Sequence, residues 1–168
     1  MVHTMSFDVF FSAITWFGSL YVLLPCFAVL LFILLRTGKI FEALLLGLTL
    51  PATVLAVHTA KAIFRRPRPN VPEILIPMPT DWSFPSGHTA QATAFFLVVA
   101  LIAVRLLPPL WAGILAAAGI LIIIGVGWSR VYLQVHYLSD VVAGWVLAIL
   151  VIAAMYALLP LLLTHFRE

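Results

Sequence analysis

Apolar residues along the chain arrive in long runs, at 18–35, 40–60, 89–107, 109–128 and 141–163, without the strict alternation of strands or the one-sided stripes of soluble helices. Each run is near the ~20 residues that a helix needs to cross a bilayer core, so the pattern predicts five transmembrane helices. Ahead of them, "MSFDVFFSAITWF" at residues 5–17 carries aromatic residues on several sides and an acid at Asp8, with no basic stretch of the kind that opens a signal peptide. It is read as a short helix lying in the interface or packed on the bundle, with the start of a longer tilted first span as the alternative. No internal repeat is evident, and no stretch outside the runs is long enough for a soluble domain. The expected fold class is therefore all-α: a polytopic membrane helical bundle of about five transmembrane helices plus a short N-terminal interfacial helix, forming a single membrane-embedded domain over residues 1–168.

Composition agrees with that solvent. Hydrophobic residues make up 64% and charged residues only 9% of the chain, where a soluble domain carries roughly a quarter charged. The net charge of +3 lies mostly at the ends of the runs, and no nucleic-acid partner is expected. Cys26 is the only cysteine and cannot form an internal disulfide; it is read as a small core residue. One connection is sizeable, "RRPRPNVPEILIPMPTDWSFPSG" at 65–87, whose six prolines forbid a regular helix. With an odd number of spans, this loop and the "GWSRVYLQVHY" connection between the fourth and fifth runs lie on the same face of the membrane. That face gathers Lys61, Arg68, Ser86, His88, Arg130, His136 and Asp140.

These residues fall into three spaced motifs. Lys61 is followed after six residues by Arg68 and Pro69; Pro85, Ser86, Gly87 and His88 form Pro-Ser-Gly-His; and Ser129 and Arg130 are followed by His136 and then Asp140. In order and spacing they resemble the three signatures of the type 2 phosphatidic acid phosphatase superfamily, and the motif-bearing part, 61–140, is about half the chain. The resemblance implies a membrane lipid phosphatase that works without a metal or other cofactor, through a covalent phosphohistidine.

The chemistry of the residues is compatible with that role. A phosphoryl transition state spreads negative charge over its peripheral oxygens, and Lys61, Arg68 and Arg130 offer fixed cations for it. Ser86 is a good N-cap, so the amides after it and the positive end of the helix dipole would meet the same anion, while Gly87 lets the backbone come close. His136 and Asp140 are four residues apart and would share one face of a helix beginning near Tyr132 to His136. A carboxylate that accepts the Nδ1 proton leaves Nε2 free to attack phosphorus. His88 can then protonate the leaving oxygen and later activate water. The family assigns the same roles to the matching positions.

The remaining ionisable and aromatic residues have plainer readings. Arg65 and Arg66 are expected to anchor the interface, and His3, His58 and His165 to be structural. Glu73 and Asp81 are read as solvated loop acids, and Trp82, Trp128 and Trp145 as belt or core aromatics. Glycines 125, 127 and 144 are expected to ease helix packing. Three other functions use the same residues: a lipid-to-lipid phosphotransferase, a transporter or non-catalytic lipid-binding bundle, and the related vanadium haloperoxidases. A metal-dependent hydrolase would cluster carboxylates, and here one acid meets three cations. Transport sites usually lie near the midplane, not at helix ends, and the haloperoxidase resemblance is to soluble enzymes.

With Lys61, Arg68 and Arg130 set aside, Arg65 and Arg66 remain on the motif face against Arg36, Lys39, Arg105 and Arg167 on the other. That balance favours a cytoplasmic C-terminus and a site on the periplasmic or outer side of an inner or plasma membrane. The expected partners are the bilayer and a lipid phosphate. Phosphatidic acid, phosphatidylglycerophosphate, undecaprenyl diphosphate and lipid A phosphates all remain open as substrates, and protein partners are not indicated.

Overall fold

In a computed structural model the chain is described at residues 5–70 and 76–165, the last two without their side chains. The readings of His3, Glu73, Arg167 and the His165 side chain fall outside the described residues. Every long apolar run becomes a helix: α1 (Met5–Ile14), then α2 (Leu20–Arg36), α3 (Ile40–Phe64), α4 (Gly87–Leu106), α5 (Pro109–Tyr132) and α6 (Leu138–His165). No strand occurs among the described residues. Helices α3 to α6 are each long and apolar enough to cross a bilayer, and α1 with the turn after it and α2 make a fifth candidate bent by 44°.

Local chemistry sets the helix ends. Ser19 caps α2 by accepting from the Tyr21 amide at 3.3 Å. Pro109 opens α5 at a position where the missing amide hydrogen costs nothing. Between α2 and α3 the chain turns through Gly38 at φ +71°, a left-handed conformation that a side chain would strain. A stop at Arg65, also left-handed, releases the chain from α3 into the proline-rich loop.

Helix α4 is the centre of the bundle and packs on α3, α5 and α6. Its buried side is small, with Ala90, Ala92 and Ala94 almost wholly covered, so neighbouring backbones come close. Gly144 of α6 marks a close approach to the start of α4: a Cβ there would lie 2.8 Å from the Ser86 carbonyl oxygen. Glycines 125 and 127 are also close-approach positions, against Ile14 and Trp145. The segment before α2 lies against the bundle, where Phe11 stacks on Tyr132 with ring centroids 4.3 Å apart and Asp8 accepts from the Tyr132 hydroxyl at 2.8 Å. Large apolar side chains such as Val29, Leu121 and Leu150 cover the outside, as a lipid-facing surface requires.

Two local expectations are corrected. Cys26 is exposed on α2 and is not a core residue. His136 does not stand on a helix, because α5 continues to Tyr132 and α6 begins only at Leu138. A tight turn joins them, with Gln134 in the left-handed region at φ 57°.

Candidate active site

Five chain segments meet at the same cavity, about 270 Å³ in volume, whose wall includes Lys61, Arg68, Gly87, His88, Arg130 and His136. Lys61 comes from the last turn of α3, Gly87 and His88 from the first turn of α4, and Arg130 from the last turn of α5. Arg68 belongs to the proline-rich loop and His136 to the turn before α6. The arrangement unites every motif on one end of the bundle, as the odd number of spans predicts.

His136 is buried and fixed from both sides of its ring. Its Nδ1 is 3.3 Å from Asp140 Oδ2, and its Nε2 is 3.1 Å from Arg68 Nη1. A guanidinium has no lone pair to offer, so Nε2 must be the acceptor and Nδ1 must carry the hydrogen that points to Asp140. Burial lowers the His136 pKa to about 4; the hydrogen bond to Asp140 opposes this, and the charges of Arg130, Arg68 and Lys61 reinforce it. At neutral pH the ring is therefore uncharged, with its lone pair on Nε2, beside Arg68.

Asp140 is fully buried and collects donors. Besides His136, its Oδ2 accepts from Ser83 Oγ and from the Tyr137 amide at 3.0 Å, which also caps the start of α6. Its Oδ1 accepts from Arg66 Nη1 at 2.8 Å. The same Arg66 nitrogen donates to Ser139 Oγ at 2.7 Å, and the guanidinium lies 4.0 Å from the centre of the Tyr137 ring. The cap and the histidine contact are thus made by one carboxylate.

Arg130 is 2% exposed and donates through Nη1 to Thr15 Oγ1 at 2.7 Å, which ties the segment before α2 to the cavity. Its Nε–H is buried with no hydrogen-bond partner among the described residues, on a residue that lines the cavity. Arg68 is held by main-chain carbonyls, donating from Nη1 to Val135 O at 2.7 Å and from Nε to Asp81 O at 2.9 Å. Lys61 is 5% exposed and donates to Trp82 O. Gly87 lines the cavity, and an added Cβ there would sit in ordinary contact with Val57 at 3.6 Å and Gln91 at 3.8 Å, so it is the bare backbone that faces an arriving anion. Ser86 takes the N-cap position of α4 but is fully buried; its hydroxyl accepts from Thr89 Oγ1 at 2.9 Å and makes no cap bond.

Two residues depart from the reading of the sequence, and a third is absent from it. Asp81 is no free loop acid, because its carboxylate pairs with Lys61 at 2.9 Å and with Arg68 at 2.5 Å. Burial raises its pKa, but hydrogen bonds from Lys61 and Arg68 and their charges outweigh this and bring it down to about 2. Arg66 is bound to Asp140 and is not a bare interfacial anchor; Arg65, by contrast, is exposed and bonds locally, to Ala62 O at 2.9 Å. Ser83 was not singled out at all. The repeated Arg-Pro in "RRPRP" is a signal for Arg66, whereas nothing in the spacing marks Ser83, which reaches Asp140 across 57 residues of chain. Among the described residues no three His, Cys, Asp or Glu side chains are grouped as a metal site would group them.

Comparison with known proteins gives the same picture. The profile of the PAP2 superfamily matches residues 42–162. An undecaprenyl-diphosphatase of Sulfolobus acidocaldarius is 40% identical over 137 residues, 78% of this chain and 60% of that protein, so the chain spans less than two thirds of that relative's length. Phosphatidylglycerophosphatase B of Bacillus subtilis is 31% identical over 142 residues, covering 83% of this chain and 68% of the relative. The crystal structure of a transmembrane PAP2-type phosphatidylglycerolphosphate phosphatase from Bacillus subtilis superposes with a TM-score of 0.84 at 28% identity, over 93% of this chain and 78% of that one. That of Aquifex aeolicus LpxE superposes with a TM-score of 0.71 at 28% identity, over 93% and 88%. A helical bundle with the three motifs meeting at one cavity, matched over most of its length in sequence and in structure, makes this chain an integral membrane protein that belongs to the PAP2 superfamily.

Proposed function

We propose that the chain is a lipid phosphate phosphatase that removes the terminal phosphate of a lipid phosphate or diphosphate through a phosphohistidine, residues 1–168 acting as one membrane-embedded domain. The observation that carries this reading is His136 held between Asp140 and Arg68 on the wall of a cavity that also contains Lys61, His88 and Arg130. Nε2 of His136 attacks phosphorus and the bond to the leaving oxygen breaks. Arg68 transfers its hydrogen bond from the nitrogen to a phosphoryl oxygen as the lone pair is used. Lys61, Arg130 and the first amides of α4, at Gly87 and His88, take the other oxygens, and Ser86 supports that turn from behind. Asp140 stabilises the charge that develops on the imidazole. His88 gives a proton to the leaving oxygen, then removes one from the water that attacks the phosphohistidine; the phosphorus–nitrogen bond breaks and phosphate is released.

A lipid substrate is supported by the surroundings of the cavity. Leu20 and His58 belong both to its wall and to an apolar groove of about 360 Å³ between α2 and α3, lined by Leu24, Phe27, Leu50 and Val54. A chain can lie in that groove while its phosphate occupies the cavity. The names of the relatives point to undecaprenyl diphosphate and phosphatidylglycerophosphate as the first substrates to try. The balance of basic residues supports a site on the periplasmic or outer side of the membrane.

The test is release of inorganic phosphate by the purified protein from phosphatidic acid, phosphatidylglycerophosphate, undecaprenyl diphosphate and a lipid A phosphate, with and without EDTA. Turnover of at least one that survives the chelator, is blocked by vanadate and disappears in His136→Ala is the expected result. Loss of activity in EDTA with recovery on adding a divalent ion would contradict the metal-free mechanism. Undiminished turnover by the alanine variant would contradict the phosphohistidine.

A further inference from the structure

Two of the three cations assigned to phosphate are already engaged. The Asp81 carboxylate places one oxygen 2.9 Å from Lys61 Nζ and the other 2.5 Å from Arg68 Nη2. It lines the cavity, and its side chain is 49% exposed against 6% for Lys61 and 8% for Arg68. A carboxylate and a phosphoryl group both offer a pair of oxygens to such donors. Buried cations brought together with Arg130 also need a counter-charge when no ligand is bound.

We propose that Asp81 is an internal competitor for phosphate: in the free protein its carboxylate occupies Lys61 and Arg68, and an arriving phosphate displaces it toward solvent. The inference rests on the phosphate-binding role given to these cations above. Asp81 lies in an irregular part of the loop between α3 and α4, flanked by the exposed Thr80 and Trp82, so its side chain can turn outward without unwinding a helix. The cations do not depend on it for their position. Arg68 remains tied to Val135 O at 2.7 Å, and Lys61 to Trp82 O. A group that merely holds the cations would weaken phosphate binding when lost; a competitor, when lost, strengthens it.

The experiment compares the full-length protein with Asp81→Asn and Asp81→Glu in one detergent, measuring by calorimetry the affinity for inorganic phosphate and for orthovanadate. The Asn variant is expected to bind both at least about tenfold more tightly, or ~1.4 kcal/mol. The Glu variant, which keeps the charge, should stay within about threefold of the parent, or ~0.7 kcal/mol. Unchanged or weaker binding by Asp81→Asn would overturn the inference while leaving the phosphatase reading intact. Failure of every form to bind either anion would remove both. If Asp81→Asn folds only when phosphate or vanadate is supplied, the anion has taken the place of the carboxylate, as proposed. Failure to fold even then would assign Asp81 to the framework of the loop instead.

Discussion

At the scale of single residues, the contact of Arg68 with His136 decides which ring nitrogen is free, and Asp140 makes the decision permanent. In Asp140→Asn the amide can turn its NH2 toward Nδ1, which moves the ring hydrogen to Nε2 and removes the lone pair proposed to attack phosphorus. By analogy with the wrong-tautomer variant of a Ser-His-Asp triad, kcat should fall by about 10³- to 10⁴-fold with KM little changed. A loss confined to KM would reduce Asp140 to a helix cap. The depressed pKa of His136 also has a signature in stability. An unfolded histidine titrates near 6.5 and the folded one near 4. In between the unfolded chain holds the extra proton, so this contribution is complete above about 6.5 and is lost as pH falls toward 4. Melting temperatures in detergent should therefore drop across that window, with a shallower slope for His136→Gln; parallel slopes would count against it. The motif residues at this scale were legible because their spacing is specific. Arg66, Asp81 and Ser83 were not, because their partners are set by the path of an irregular loop, which apolar patterning does not encode.

At the scale of elements, the lengths of the apolar runs predicted the helices to within a few residues, since bilayer thickness fixes how long such a run must be. The α5–α6 turn was misread because Val135 and Leu133 are apolar and buried although not helical, so composition gave no sign of a break. The α4–α6 contact is the element-level feature on which the cavity most depends. A methyl group added in Gly144→Ala would press on the Ser86 carbonyl and the Thr89 side chain, at 2.8 and 3.2 Å. Overpacking of this kind costs about 1–3 kcal/mol. It also moves the first turn of α4, and with it Gly87 and His88. The variant should melt lower and lose activity more steeply than stability; a variant as active and as stable as the parent would show that the two helices can separate without harm.

At the scale of the whole molecule, the cavity lies at one end of a bundle whose sides face lipid, so the proposed lipid substrate would arrive from the plane of the membrane. Each methylene in the bilayer favours partitioning by ~0.8 kcal/mol. The specificity constant for a long-chain lipid phosphate should exceed that for a soluble aryl or sugar phosphate by at least about a hundredfold, or ~2.7 kcal/mol. Equal constants would make the bundle a mere anchor for a general phosphatase. The second helix adds a condition of its own. With 17 residues, α2 extends only about 26 Å, against a hydrocarbon core of ~30 Å. Where α2 crosses without α1, the bilayer thins to meet it alongside its groove with α3, which lowers the headgroups of neighbouring lipids toward the cavity. Turnover should therefore respond to membrane thickness itself, falling as the matrix lipid is replaced by longer-chain species at constant substrate fraction and constant fluidity. The local dent beside α2 would then act as a collecting point, and the thickness of the host membrane would govern the enzyme as directly as the concentration of its substrate.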